Sequence, residues 1–200
     1  MKASKSSRAS PGRGRPLDAT VTARILEATL ALTAQRGYQG LRIEDIAARC
    51  ATSKQALYRR WPTKPDLVAA ALEAALEGVN PDPPDGPFRE ALVVALSNVA
   101  RLVATTPFGG AVAAVLGVHN EPALAQSVGA AAERRRGLLR ALFARAGDRG
   151  EYPAGRDVDL DIDALLGALY FRALFRKRAI DADFVAALVD QWRAGAAAGR

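Results

Sequence analysis

The chain has 200 residues, half of them hydrophobic, with one cysteine, one histidine and a net charge of +7. That length can bury a real core as one large domain or two small ones. A lone cysteine excludes an internal disulfide, and no spacing of His, Cys, Asp or Glu reads as a metal site or a nucleophilic dyad.

The charge is unevenly placed. Residues 1–62 hold 12 Lys/Arg against 4 Asp/Glu, a net of +8, whereas residues 63–200 hold 16 against 17, a net of −1. Such asymmetry points to a polyanion-binding module joined to a neutral domain, with a merely solubilising basic tail as the plain alternative. Strand-type alternation is nearly absent and alanine and leucine abound, so an all-α protein is expected. The basic N-terminus is not followed by an apolar segment of the signal-peptide kind, and no apolar run approaches the roughly 20 residues that span a bilayer. A soluble, cytoplasmic protein without membrane contact is the expectation.

Residues 1–16 carry five basic and no acidic residues among Ser, Gly and Pro, a composition that cannot build a core. Arg13 and Arg15 in this arm either enter a DNA minor groove or touch nothing. A first helix is expected from about Asp18 or Thr20 to Arg36-Gly37, with Ile25, Leu26, Thr29, Leu32 and Thr33 inward and Gly37 just past its end. Tyr38 and Leu41 should pack beneath the next two helices.

Leu41 to Lys64, LRIEDIAARCATSKQALYRRWPTK, reads as two short helices around a tight turn. Ile43, Ile46 and Ala47 give the first its apolar face. Thr52 or Ser53 caps the second, which turns Ala56 and Leu57 inward and Lys54, Gln55, Tyr58 and Arg59 outward. Lys, Gln, Tyr and Arg on one short helix suit phosphates and base edges, as in a helix-turn-helix whose second helix enters the major groove. Arg59, Arg60 and Trp61 lead out of it. Trp61 should plug the core, Thr63 should cap the next helix, and Lys64 at that helix's N-terminus should meet a phosphate.

The fourth helix is expected to run to about Glu77. NPDPPDGP, residues 80–87, is the strongest breaker in the chain. Further helices are expected over about Phe88–Thr105, Pro107–Val118, Ala123–Ala146, Asp159–Arg176 and Asp181–Ala197. Arg134, Arg135, Arg136 and Arg140 form either a second polyanion site or a solvated face. The last two helices are apolar on more than one side, with surplus faces suited to a four-helix homodimer bundle. Leu165, Leu169, Ala173, Phe184, Leu188 and Trp192 are the candidates for that interface. Phe108, Val112, Leu116, Tyr170, Phe171 and Leu174 are candidate pocket residues or plain core. His119 is a pocket residue or a helix-junction residue, and Cys50 is a small buried apolar residue.

Ile25 to Leu72 resembles the TetR family of transcriptional regulators. The stretch carries that family's glycine after the first helix, its ΦxxΦA second helix, its Ser-Lys recognition-helix start and its Leu-Tyr-basic-basic-aromatic-x-x-Lys exit. Asn120–Leu124, the Arg-rich helix and DVDLDIDALLGALYFRALF resemble the family's ligand-binding and dimerisation domain more loosely. The resemblance implies about nine helices: residues 17–63 a DNA-binding domain and residues 64–200 an effector-binding and dimerisation domain. It implies a repressor that binds a palindromic operator in double-stranded DNA as a homodimer and is released by an unknown small-molecule effector; the residues themselves offer no catalytic constellation, and no cofactor is expected. DNA contacts carry over to Arg42, Lys54, Gln55, Ala56, Tyr58 and Lys64, and Thr52, Ser53, Arg59 and Arg60 beside them are further candidate DNA contacts. Ala51 stands where the family usually has a turn glycine, and Arg42 where Thr or Ser is frequent. A constitutive or activating regulator without an effector is the alternative, and a helical enzyme acting on an anionic substrate the remote one.

Overall fold

A computed structural model describes residues 19–77, 85–116, 118 and 121–198. The expectations for the arm with Arg13 and Arg15, for the residue 80–84 part of the breaker and for His119 therefore lie outside the described residues. The described residues are all-α: α1 (Ala19–Gly40), α2 (Ile43–Arg49), α3 (Lys54–Tyr58), α4 (Lys64–Glu77), α5 (Phe88–Thr105), α6 (Pro107–Leu116), α7 (Pro122–Asp148), α8 (Val158–Tyr170) with a π-helical extension (Phe171–Phe175), and α9 (Ala182–Ala198).

Local chemistry sets most boundaries. Regular helix in α1 stops at Gly37, whose φ of 74° lies in the left-handed region that favours glycine. The Ser53 hydroxyl accepts from Ala56 N–H at 3.1 Å and starts α3. Thr63 and Asp66 cap α4 reciprocally: Thr63 N–H donates to the Asp66 carboxylate at 3.1 Å, and Asp66 N–H donates to the Thr63 hydroxyl at 3.3 Å. The Asp157 carboxylate accepts from the amides of Asp159 and Leu160 and opens α8.

Three ends differ from expectation. α6 stops at Leu116, short of Val118. α7 begins on Pro122, whose missing N–H costs nothing in a first turn, and continues to Asp148. α8 does not run regularly to Arg176. It widens at Phe171, where Arg176 N–H bonds back to the Phe171 carbonyl at 3.1 Å, a π-type spacing. Lys177 then adopts a φ of 49° and ends it.

A continuous apolar core runs from Ile25, Ile46 and Leu57 through Leu67 and Leu92 to Leu142, Ile162 and Val189. α5 and α6 meet at 79°, which lays α6 along α1. A Cβ on Gly110 would stand 3.0 Å from the Ala34 Cβ, so a small residue is needed for that approach. No single helix among the described residues is long and apolar enough to cross a membrane.

Two clusters in the C-terminal half were invisible to sequence reasoning. Phe88, Phe143, Tyr152 and Trp192 form an aromatic box, with neighbouring ring centroids 5.0 to 6.4 Å apart. Beside it lies Asp161, which accepts from the Tyr152 hydroxyl at 2.7 Å, the Trp192 indole N–H at 3.0 Å and the Arg156 guanidinium at 2.8 Å. Burial alone would raise the Asp161 carboxyl, but these three donors outweigh it and hold the pKa below its usual value. Arg136 and Arg140 pair with Asp159, and Arg136 also with Asp163, so these two arginines clamp α7 to the first turn of α8. Arg89 grips Asp190 with two hydrogen bonds of 2.6 Å and ties α5 to α9.

Candidate nucleic-acid interface

The helix-turn-helix is built on α1. Ile43, Ile46, Ala47 and Leu57 are buried beneath it with Tyr38 and Leu41. Three polar braces fix its orientation. Arg24 donates to the Cys50 carbonyl at 3.1 Å, Arg36 pairs with Asp45, and Arg60 donates to the Thr22 hydroxyl. Each joins α1 to a different part of the α2–α3 unit, over 26, 9 and 38 residues of chain. Only contact in space reveals such pairs.

The turn between α2 and α3 has the hydrogen bonds of a helix C-cap. Cys50 N–H bonds to Ile46 O at 3.0 Å, and Thr52 N–H bonds to Ala47 O at 3.0 Å. Between them Ala51 takes a φ of 50°. A non-glycine residue there costs about 1–2 kcal/mol.

The candidate contact residues fall into two groups. Arg42, Ser53, Lys54, Gln55, Tyr58 and Arg59 are exposed, and Thr52 and Ala56 are half-buried beside them. Arg42 precedes the first residue of α2, and Tyr58 is the last residue of α3. Lys54 is already engaged: its ammonium lies 2.6 Å from the Glu44 carboxylate and 5.7 Å from the Tyr58 ring centroid. That pairing lowers the Glu44 pKa and raises the Lys54 pKa. Sequence reasoning overlooked Glu44, although its place at the start of α2, one residue after Ile43, was legible.

Arg60 and Lys64 stand apart from that group. Arg60 turns back to Thr22 and lies 5.9 Å from the centre of the half-buried Trp61 ring. Lys64 is half-buried, and its ammonium stands 4.3 Å from the Tyr38 ring centroid. Burial lowers the Lys64 pKa, opposed by the charge of Glu121. Cys50 is buried, its thiol donating to the Arg24 carbonyl at 3.6 Å, and burial raises its pKa.

The pocket and dimer candidates also divide. Phe108 is buried, and Val112, Tyr170 and Leu174 pack half-buried against the same core, whereas Leu116 and Phe171 are 62% and 56% exposed. Leu165 and Leu169 are buried within the protomer; Ala173, Phe184, Leu188 and Trp192 are half-buried. An apolar cleft of about 410 Å³ opens where α1 and α4 meet the α5–α6 corner, lined by residues that include Leu26, Leu30, Ala71, Ala75 and Leu102. No group of three or more metal-ligating side chains converges among the described residues.

Comparison with known proteins agrees with this geometry. Residues 25–71 match the family model described as "Bacterial regulatory proteins, tetR family", and residues 82–192 match "Tetracyclin repressor-like, C-terminal domain". An uncharacterized HTH-type transcriptional regulator of Mycobacterium tuberculosis (strain ATCC 25618 / H37Rv) is 33% identical over 168 residues, 83% of this chain and 82% of that protein. The crystal structure of the TetR family transcription regulator SCO0332 superposes with a TM-score of 0.69 at 29% identity, over 86% of this chain and 95% of that one. FadR from Bacillus subtilis, solved in complex with stearoyl-CoA, superposes with a TM-score of 0.70 over 84% of this chain and 96% of that one; at 18% identity the likeness is one of fold. A helix-turn-helix braced on α1, followed by a helical domain matched over most of its length, places the chain in the TetR family of transcriptional regulators.

Proposed function

We propose that the protein is a ligand-responsive repressor that binds a palindromic operator as a homodimer. The observation that carries the reading is the exposed row Lys54, Gln55, Tyr58 and Arg59 on and just beyond a capped helix whose Leu57 is 1% exposed. Gln55 and Lys54 are suited to base edges, and the Ala56 methyl to a thymine methyl group. Tyr58, Arg59, Arg42, Ser53 and Lys64 are suited to phosphates, with Thr52 and Arg60 bracing them. Residues 17–63 form the DNA-reading part and residues 64–200 the sensing and dimerising part.

The dimer face in this reading is an exposed apolar stripe of α8 and its extension. Leu160, Ala164, Gly167, Phe171 and Phe175 are all exposed and fall on one stripe of α8 and its π extension. Phe171 and Phe175 stack at 5.7 Å. Leu165 and Leu169 support this face from within the core, and Ala173, Phe184, Leu188 and Trp192 flank the same pair of helices. Small residues at 164 and 167 let a second copy approach closely.

Phe108, Val112, Tyr170 and Leu174, with Leu116 and His119 at the end of α6 and beyond it, are the proposed effector side. The apolar character of Phe108, Val112, Leu116, Tyr170 and Leu174, and the stearoyl-CoA held by the fold neighbour FadR, favour a ligand with a long apolar chain. The test is operator release. Operator-bound protein titrated with long-chain acyl-CoA should dissociate as one ligand-dependent transition. Indifference to acyl-CoA and to a panel of apolar ligands would favour the second reading, a constitutive or activating regulator.

A further inference from the structure

We infer that Glu44 is a specificity-determining residue, which holds the Lys54 ammonium at the recognition surface and weakens binding to non-cognate DNA. The inference rests on the reading of α3 as the DNA-contacting helix. Glu44 is the second residue of α2 and Lys54 the first of α3, so their 2.6 Å pair bridges the two helices on the exposed side. The contact candidates around the pair are cationic or neutral: Arg42 precedes Glu44, the Tyr58 ring lies near the Lys54 ammonium, and Arg59 comes next in the chain. Among the described residues, Glu44 is the one carboxylate paired to a member of the exposed group.

A carboxylate on a surface meant for DNA weakens attraction to every phosphate, so it needs a compensating role. Non-specific affinity grows with the number of phosphates that cations neutralise. A lone Lys54 would add one such contact on any sequence. With Glu44 beside it, moving to a phosphate strands a carboxylate against the backbone, and the gain is cancelled.

At a cognate site the balance differs. Lysine has three N–H donors. Two reach guanine O6 and N7 while the third stays on Glu44, whose second oxygen remains available to a cytosine amino group. The pair therefore penalises binding where no suitable base is present and loses little where one is. Both side chains are about half exposed, so the pair is weak enough to re-form around a base.

The experiment uses the full chain, the duplex it selects from random DNA, and a scrambled duplex of equal length. Affinity is measured from roughly 50 to 200 mM salt for the wild type, Glu44→Gln and Glu44→Asp. Glu44→Gln keeps size and shape but removes the charge. It should tighten binding to scrambled DNA, steepen its salt slope by about 0.9 and reduce the ratio of specific to non-specific affinity. Glu44→Asp should restore part of that ratio. An unchanged scrambled-DNA slope in Glu44→Gln, or equal weakening on both duplexes, overturns the inference while leaving α3 as the DNA-contacting helix. A wild type that prefers neither duplex overturns that reading and the inference together.

Discussion

The Lys64 ammonium stands 4.3 Å above the ring of Tyr38, so the first residue of α4 is seated on the residue just past the end of regular helix in α1. Tyr38 is 3% exposed and anchors the join between helix-turn-helix and α4. Tyr38→Phe keeps the ring face and should cost no more than about 1 kcal/mol, whereas Tyr38→Ala should cost about 3–5 kcal/mol in urea unfolding. Lys64→Ala should weaken operator and scrambled DNA alike and lower the salt slope by about 0.9. Gln55→Ala should instead change which sequence is preferred. Equal loss on all sequences for Gln55→Ala would remove it from base reading.

Stability should fall in alkali. Burial pushes Tyr38 from 10.0 up to about 12, helped by the Glu121 charge, and burial with the hydrogen bond to Asp161 pushes Tyr152 to about 12. A phenol whose folded pKa is raised stabilises fully below pH 10, and that stabilisation disappears as pH climbs towards 12. The loss is at most about 3 kcal/mol per tyrosine. Cys50, raised from 9.0, acts in the same direction from lower pH, while Lys64, lowered from 10.5, acts oppositely and only below 10.5. Urea midpoints of Tyr152→Phe should therefore decline less steeply between pH 10 and 12 than those of the wild type. Parallel curves would contradict the raised pKa of the buried Tyr152 phenol.

The helices and their caps were readable because they are local. Ser53, Thr63 and Gly37 act within three or four residues of themselves, and Ile43, Ile46 and Leu57 follow from periodicity alone. What joins the helices was not readable. Arg24 finds Cys50 across 26 residues and Arg89 finds Asp190 across 101, and nothing in either neighbourhood names its partner. α8 shows the same limit. It is apolar on more than one side, so periodicity could not say which leucines face inward. Leu165 and Leu169 are taken by the protomer's own core, and the exposed stripe lies through Leu160 and Phe171. The contact candidates divide likewise: Lys54 and Gln55 lie exposed on α3, while Arg60 and Lys64 turn back onto Thr22 and Tyr38.

Ala51 offers a test of strain in the turn. At φ 50° an alanine is held in a costly left-handed conformation, while glycine there loses more chain entropy on folding. The first effect is the larger. Ala51→Gly should raise stability by up to about 1 kcal/mol in urea unfolding, with operator affinity unchanged. A destabilised variant would show that Ala51 is not strained.

The exposed stripe on α8 predicts oligomeric state. Phe171→Glu places a charge in the middle of the proposed dimer face and should yield a monomer by light scattering, with helical content retained by circular dichroism. Operator affinity should drop at least about tenfold, because two linked half-site contacts become one. A dimer that survives this substitution would move the interface off α8.

Operator recognition by a symmetric dimer is tested most directly by selecting bound sequences from random duplex DNA with the purified protein. The expected product is a palindrome whose half-site centres lie about one helical turn, roughly 34 Å, or a whole multiple of it apart, recovered from complexes of even stoichiometry. Enrichment of no motif, or of an unrepeated one bound by a single protomer, would contradict it.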